Sequence, residues 1–427
     1  MAGQAARSVA GYPLKRVETQ VEENFPHMNS IHAKPDLAEF IADKIRDYGP
    51  VTFKWYMEQC LYHPKWGYYT QGGKAIGQKG DFSTNVSVGK LYGYLLARQF
   101  TEMWFHMGKP PIFTIMEQGA ADGQFADDVL EWIHEQIPEF FNVLTYWIIE
   151  PDHETMLKQK QRLRRFPKNK LRWSRDLTDL DDMSLFGIFW SNELVDAFPV
   201  HMVTWREGGW AENYVDYYHG EFRLSEEDPS SQQLITFLRD RMPHSMPEEP
   251  YRTEVNTAAL NWIEEIARVL KRGYVMTCDY GFPRSEYLIP GRFEGTLTCY
   301  YQHQRIDDFF SHMGNADMTA HVDFTALAEE GLDYGLDLVG YCDQYRLMVG
   351  LGQEEFAELE KVEGELSDHE RHELNCFRML MHPDMMGSRF KFLCMGKEVN
   401  EAPGLMGFRY AGDPYEHLGV IQPDDDE

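Results

Sequence analysis

The sequence predicts an α/β protein: a mostly parallel sheet of about seven strands with helices on both faces, preceded by a helical segment and carrying an insertion between the fourth and fifth strands. Three observations lead there. Short apolar runs alternate with helical periodicity from residue 111 onward. Those runs are apolar at nearly every position, as in strands buried on both faces. The first run leads through small residues straight into a helix, at "IMEQGAADGQFADDVL" (115–130).

Taken in order, residues 1–35 show no periodicity and read as a disordered or extended arm. Its first sixteen residues hold three basic groups and no acid, the bias of a presequence, but Glu18, Glu22 and Glu23 follow at once. Residues 36–110 read as a helical cap with a Gly-Asp-Phe loop at 80–82, the periodicity running from 36 to 60 and from 89 to 107. The core spans 111–412. Its strands are expected at 111–116, 143–150, 171–177, 185–200 and 273–281, with helices ending near Gln136, Arg165 and Leu270. Two further strands are expected at 336–352 and 389–399. Residues 201–254 read as an irregular insertion, whose Trp and Tyr side chains (208–218) form its own core in preference to lining a peptide groove. An acidic tail, 413–427, closes the chain.

The formal charge of −28 argues against tracking a phosphate backbone, so no nucleic-acid partner is expected; a basic protein or a cationic small molecule suits it better. Six scattered cysteines without CxxC pairing give neither a disulfide framework nor a zinc site and fit a reducing compartment. The cytoplasm is expected, with the mitochondrial matrix as the alternative. No apolar run is long enough to span a bilayer, so no membrane partner is expected. The sequence leaves the oligomeric state open, a homodimer included.

The loop after the first strand fails the dinucleotide fingerprint, because GxGxxG counted from Gly119 requires glycine at 121 and 124, where Ala121 and Gln124 stand. Glu117, Asp122, Asp127 and Asp128 also surround it with negative charge, which opposes a pyrophosphate. S-adenosylmethionine has no phosphate and carries a cationic sulfonium and ammonium, so Glu117, Gly119, Ala121 and Gly123 suit it. Glu150, at the end of the second strand, is placed to accept from ribose hydroxyls. Asp176, at the end of the third, is within reach of an adenine edge.

The chain resembles the MidA-like class I methyltransferases, a Rossmann-like family that includes a mitochondrial protein arginine methyltransferase. The resemblance covers roughly 36–412 and is carried by "LYHPKWGYYT" (61–70), "IGQKGDFSTN" (76–85), "EQGAADGQFADDVL" (117–130), "SNELVDAFPV" (191–200), "CDYGF" (278–282), "GTLTCYYQH" (295–303), "DMTAHVDFTAL" (317–327) and "HPDMMGSRFKFLCMGK" (382–397). It implies that Gly80, Asp81 and Thr84 lie near the methionine part of S-adenosyl-L-methionine, with Asp81 able to pair with its ammonium. Two departures stand out: Ala121 where the family usually has glycine, and "STNVSVG" where many members read T-A-P-E.

On the acceptor side, a guanidinium needs carboxylates to hold it and to take up a proton. Glu193 is the first candidate for that clamp, with Asn192 presenting an amide. Asp279 is either a second carboxylate or a structural turn, and Asp196 reads as a helix-start charge. His321 and Asp323 share one side of an extended segment, His303 lies upstream, and His321 is a candidate positioning or proton-accepting residue. No ligand spacing supports a metal. The function read here is a protein arginine N-methyltransferase; the alternatives are a small-molecule O- or N-methyltransferase, or an assembly factor that binds the cofactor without turnover.

Overall fold

Apolar runs without alternation demand burial on both sides, and the chain meets that demand with one central sheet. In the computed structural model, which describes residues 35–70, 85–246, 249–302, 304–360, 366–399 and 404–422, its strands are β1 (Phe113–Gln118), β2 (Leu144–Ile149), β3 (Leu171–Ser174), β4 (Leu185–Asn192), β5 (Leu270–Phe282), β6 (Asp337–Asp343) and β7 (Phe390–Lys397). They lie in the order β6-β7-β5-β4-β1-β2-β3, and the two-residue strand Val322–Asp323 pairs with the end of β5. From β3 across to β5 every pairing is parallel; β7 runs antiparallel between β5 and β6. The strand order reverses between β1 and β4, which opens a crevice beyond their carboxyl ends.

Neighbouring residues of β4 show how the layers form. Trp190 faces the helices Lys90–His106 and Gln124–Gln136, among Phe100, Phe125 and Phe392, whereas Phe189 faces Thr257–Val269, against Trp262 and Ile266. The alternation is the period of two of a strand, with both sides apolar.

Several boundaries differ from those expected. The periodicity at 36–60 is two helices, Pro35–Tyr48 and Phe53–Tyr62, because Gly49, at φ +87°, and Pro50 end the first. These two pack with the insertion, so the N-terminal segment is not one cap: Lys90–His106 belongs to the sheet. The run 336–352 is a strand followed by the helix Gln344–Glu360, at whose start Asp343 Oδ1 accepts from the Arg346 N–H. Both halves are buried, so apolarity alone hid the junction. The fourth strand stops at Asn192, and no helix starts at Asp196. The insertion is regular: strands His201–Arg206, Gly209–Tyr218, Glu221–Glu227 and Tyr251–Val255 form an antiparallel sheet with Val51–Thr52, flanked by helix Gln232–Asp240. Its tight turns, Glu207-Gly208 and His219-Gly220, take positive φ at both central residues, as two-residue hairpins require. Residues 413–422, set apart above as tail, include the helix Pro414–Leu418, whose Leu418 is buried in the core. The arm to residue 34, His303 and residues 423–427 lie outside the described residues, as do Gly80, Asp81 and Thr84.

Candidate functional site

At the carboxyl end of β1 the chain turns through three left-handed residues, Gly119 (φ +82°), Ala121 (φ +45°) and Gly123 (φ +83°), before helix Gln124–Gln136 begins. Glycine adopts that conformation freely and Ala121 does so under strain. A Cβ at 119 would meet Leu194 Cδ1 at 3.2 Å, so the loop lies tight against the residues after β4. The acids around it do not act as the sequence implied. Asp122 pairs with Arg162, and Asp127 with Arg165 at 2.9 Å. Glu117 is buried on the same face of β1 as Phe113 and Ile115, accepts from the Tyr146 hydroxyl at 2.8 Å, and is pushed up to about 8 by burial. Asp128 is buried, its carboxyl pushed up to about 7, with Oδ2 unpaired among the described residues, so only Asp122 and Asp127 of the four are held by cations.

Glu150 follows β2 and is 8% exposed. Its Oε1 accepts from the Asp152 N–H and its Oε2 from Gln159 Nε2, both at 2.9 Å, while burial raises its pKa. Each oxygen has a second lone pair for a hydroxyl donor. Gln159, which sequence reading passed over, is fully buried and also donates to the Ala121 carbonyl at 2.9 Å, with Trp173 Nε1 donating to its Oε1 at 3.0 Å. One side chain thus ties the loop, the β2 acid and β3 together. Asp176 is exposed, and its Oδ1 accepts from both the N–H and the hydroxyl of Thr178, capping the short helix Leu177–Asp179. A sharp backbone turn beside an acid with spare acceptor capacity fits an adenosyl group.

Across the crevice, β4 and β5 bring carboxylates together. Glu193, at φ +50°, immediately follows β4; its Oε1 accepts from Asn192 Nδ2 at 3.0 Å and from the Asn85 N–H at 3.4 Å. Burial, then the nearby Asp279, pushes it up to about 8. Asn192 is itself fixed, since Tyr92 donates its hydroxyl to Asn192 Oδ1 at 2.6 Å. Asp279 is completely buried. Its Oδ2 accepts from the N–H groups of Leu194, Val195 and Asp196 at 2.8–3.3 Å and its Oδ1 from that of Tyr280 at 2.8 Å. It anchors the turn that carries Glu193. Asp196 sits on this turn, 6% exposed, and is raised well above the carboxylate range by burial and by Asp279, Glu193 and Asp317. Among the described residues, Glu193, Asp196 and Asp279 form no ion pair. The reading of Asp196 as a helix-start charge is therefore corrected on both counts, position and solvation.

His321 joins this edge through its neighbour, the Ala320 N–H donating to the Asp196 carbonyl at 2.9 Å. Its ring lies near Tyr280 and Phe282, its Nδ1 has no partner among the described residues, and burial lowers it to about 4, so the imidazole is neutral. Asp323 lies elsewhere in role: it caps helix Phe324–Asp333 and pairs with Arg284 at 3.1 Å. The residues that sequence reading missed, Asn85, Tyr92, Gln159 and Asp317, are polar groups inside apolar or charged stretches. Asn85 and Asp317 do fall within the blocks quoted above. Among the described residues no cluster of His, Cys, Asp and Glu could hold a metal, all six cysteines are free and buried, and no helix is long and apolar enough to cross a membrane.

Residues 95–342 match the model of a family described as S-adenosyl-L-methionine-dependent methyltransferases. Among named relatives, the mouse mitochondrial protein arginine methyltransferase NDUFAF7 is 27% identical over 385 residues, covering 82% of each chain. The human protein of that name is 25% identical, covering 82% of this chain and 81% of its own. A crystal structure from Burkholderia thailandensis, bound to S-adenosyl-homocysteine, aligns with a TM-score of 0.78 at 27% identity, over 90% of this chain and 98% of that one.

Proposed function

Since the chain belongs to the S-adenosyl-L-methionine-dependent methyltransferase family matched over residues 95–342, we propose that it methylates arginine side chains of a protein, with its acceptor pocket at the ends of β4 and β5. The seven-strand path of the sheet is read as the class I core and the antiparallel sheet of residues 201–255 as an insertion into it. One observation carries the choice of acceptor: Glu193 stands half-buried beside Asp196 and Asp279 with no cation against them among the described residues. Ionised together, crowded acids are costly unless a ligand supplies the positive charge. The relatives named as protein arginine methyltransferases support the same reading, and their mitochondrial designation weighs toward the matrix over the cytoplasm.

Bound at the β1 loop, S-adenosyl-L-methionine supplies a methyl group already activated for transfer. The work left to the protein is alignment and proton removal. Glu150, positioned by Gln159, holds the ribose, and Asp176 and the loop backbone flank the rest of the adenosyl group; Gly80, Asp81 and Thr84 are assigned to its methionine end by resemblance. Glu193 grips the guanidinium, orients one nitrogen and accepts the proton that nitrogen loses. An acid whose pKa lies near 8 suits that task at neutral pH. Asn192 and Asp279 hold Glu193 in place.

His321, neutral and with Nδ1 unpartnered, favours a second reading in which a small oxygen or nitrogen nucleophile is the acceptor. Purified protein, labelled cofactor and a lysate separate the two. Label recovered in methylarginine supports the proposal; label only in small molecules overturns it in favour of the second; no transfer alongside intact cofactor binding points to an assembly role.

A further inference from the structure

A planar cation needs more than one wall, and Asp279 is committed to the backbone, four N–H groups binding it, three of them on Oδ2, so it serves the turn rather than a second carboxylate. Asp196 leaves the same turn as Glu193, three residues on, and its own N–H is one of those held by Asp279. The two carboxylates are thus mounted on one fixed backbone segment. Behind Asp196, Asp317 is engaged, its Oδ1 accepting from the Tyr69 hydroxyl at 2.8 Å and from the Met318 N–H at 2.9 Å.

Two independent features point to a ligand here. Asn85 is fully buried and gives its backbone N–H to Glu193, yet its Oδ1 finds no partner among the described residues, leaving an acceptor for a further donor. Tyr62 donates its hydroxyl to the carbonyl of Ala197, next to Asp196, its ring stacks on Tyr69 (5.4 Å, 28°), and the residue is partly exposed. An aromatic ring beside acids can seat a delocalised cation. The acids do not converge as metal ligands do, since no group of described residues could hold a metal ion.

We propose that Asp196 is the second carboxylate of the acceptor pocket and that the Tyr62 ring covers it, so that a guanidinium is held between Glu193 and Asp196 with its plane against the aromatic ring. The proposal rests on the arginine reading above and adds to it the residues that select a guanidinium. An ammonium is a compact point charge with three donors, whereas a guanidinium spreads five N–H donors over a plane and can reach both acids and the Asn85 amide oxygen while its face lies against a ring.

The test uses the full chain saturated with S-adenosyl-homocysteine and titrated with N-acetyl-arginine methylamide, with the lysine and citrulline analogues alongside. The arginine probe is expected to bind wild type more tightly than either analogue. Asp196→Asn should weaken it at least tenfold while leaving S-adenosyl-homocysteine affinity and folding intact. Tyr62→Leu should weaken it several-fold, and Tyr62→Phe, which keeps the ring, should restore most of the loss. Wild-type affinity in Asp196→Asn together with loss in Glu193→Gln would overturn the role of Asp196 and leave the arginine reading standing. Failure of the arginine probe to bind wild type, or binding no tighter than the citrulline analogue, overturns both. If Asp196→Asn does not fold, the Tyr62 pair decides: equal affinity in Tyr62→Leu and wild type rejects the pocket.

Discussion

The two sides of the crevice treat their acids in opposite ways. On the β1–β3 side Glu150 is raised in pKa yet receives one neutral donor on each oxygen, Asp122 and Asp127 have arginine partners, and Glu117 is hydrogen-bonded to Tyr146. On the β4–β5 side Asp279 is satisfied, but Glu193 and Asp196 face other carboxylates. Glu150 has neutral donors on both oxygens and, among the described residues, no acid crowding it in the β4–β5 manner, which prepares it for neutral hydroxyls. Glu193 takes its neutral donors on Oε1 alone and, with Asp196, is crowded by other acids, which prepares it for a cation. On the proposed function, this difference would separate a cofactor-binding half, built for affinity, from an acceptor half whose electrostatic cost is relieved only when substrate arrives.

The largest effect should come from the acceptor half. Glu193→Gln keeps size and removes charge, so cofactor affinity should hold while turnover falls by about two orders of magnitude or more, since a charge-assisted pair contributes about 1.5–3 kcal/mol and orientation adds to it. Single-turnover rates at saturating cofactor measure it. Unchanged turnover would erase the contrast between the two halves.

The pH profile sharpens the same contrast. If Glu193 holds the guanidinium as proposed, it must ionise to do so, and since burial pushes it up to about 8, kcat/KM should rise through that pH and fall by roughly tenfold per unit below it. Stability runs the other way. A carboxyl raised in the folded state contributes stability that is fully present below its unfolded pKa and is lost as pH rises through about 8. Thermal midpoints of wild type should decline across that window, and Glu193→Gln should decline less. Parallel curves for the two proteins would show that Glu193 does not titrate there.

In the proposed cofactor half, Glu150→Ala should weaken S-adenosyl-homocysteine binding by roughly 1–3 kcal/mol, through lost hydroxyl acceptors and the loss of one of the two acceptors of the Gln159 amide. Gln159→Met should cost less, because it loosens Glu150 and the Ala121 carbonyl without removing the acid. Calorimetry with both variants orders them. The reverse order would make Gln159 the direct contact.

Much of the fold was legible because the sheet strands are apolar throughout and their helices amphipathic. Turn chemistry in the insertion was legible too, in Glu207-Gly208 and His219-Gly220, and was passed over because the strands between them mix acids with aromatics. The proposed site was legible where an acid follows a strand end, as at Glu150 and Glu193. Sequence could not show that Asp279 spends its oxygens on backbone, that Arg162 and Arg165 reach the acids of the β1 loop, or that Asp196 is buried without a helix behind it, because each depends on a partner more than thirty residues away or on the path of a turn. Gln159 left no trace in its charged helix, since its three partners lie on three different segments.

The smallest effect concerns Ala121, the non-glycine residue among the three left-handed positions of the loop. Ala121 holds φ +45° between two glycines that hold φ +82° and +83°. A left-handed conformation costs a non-glycine residue about 1–2 kcal/mol, whereas replacing alanine with glycine gives back about 0.4–1 kcal/mol of chain entropy to the unfolded state. Strain should win narrowly, so Ala121→Gly is expected to stabilise the protein by about 0.5 kcal/mol, read as a small rise in the denaturant midpoint at unchanged slope. Its effect on the cofactor should be slight, because the Ala121 carbonyl stays bonded to Gln159 and the turn keeps its path. Glu193→Gln should not alter this gain, the two sites lying on opposite sides of the crevice, so the double variant should show the sum of the two changes in stability. A loss of more than about 1 kcal/mol in Ala121→Gly would mean that the methyl group packs against something the loop needs, and that the alanine is a fitted residue of the cofactor half.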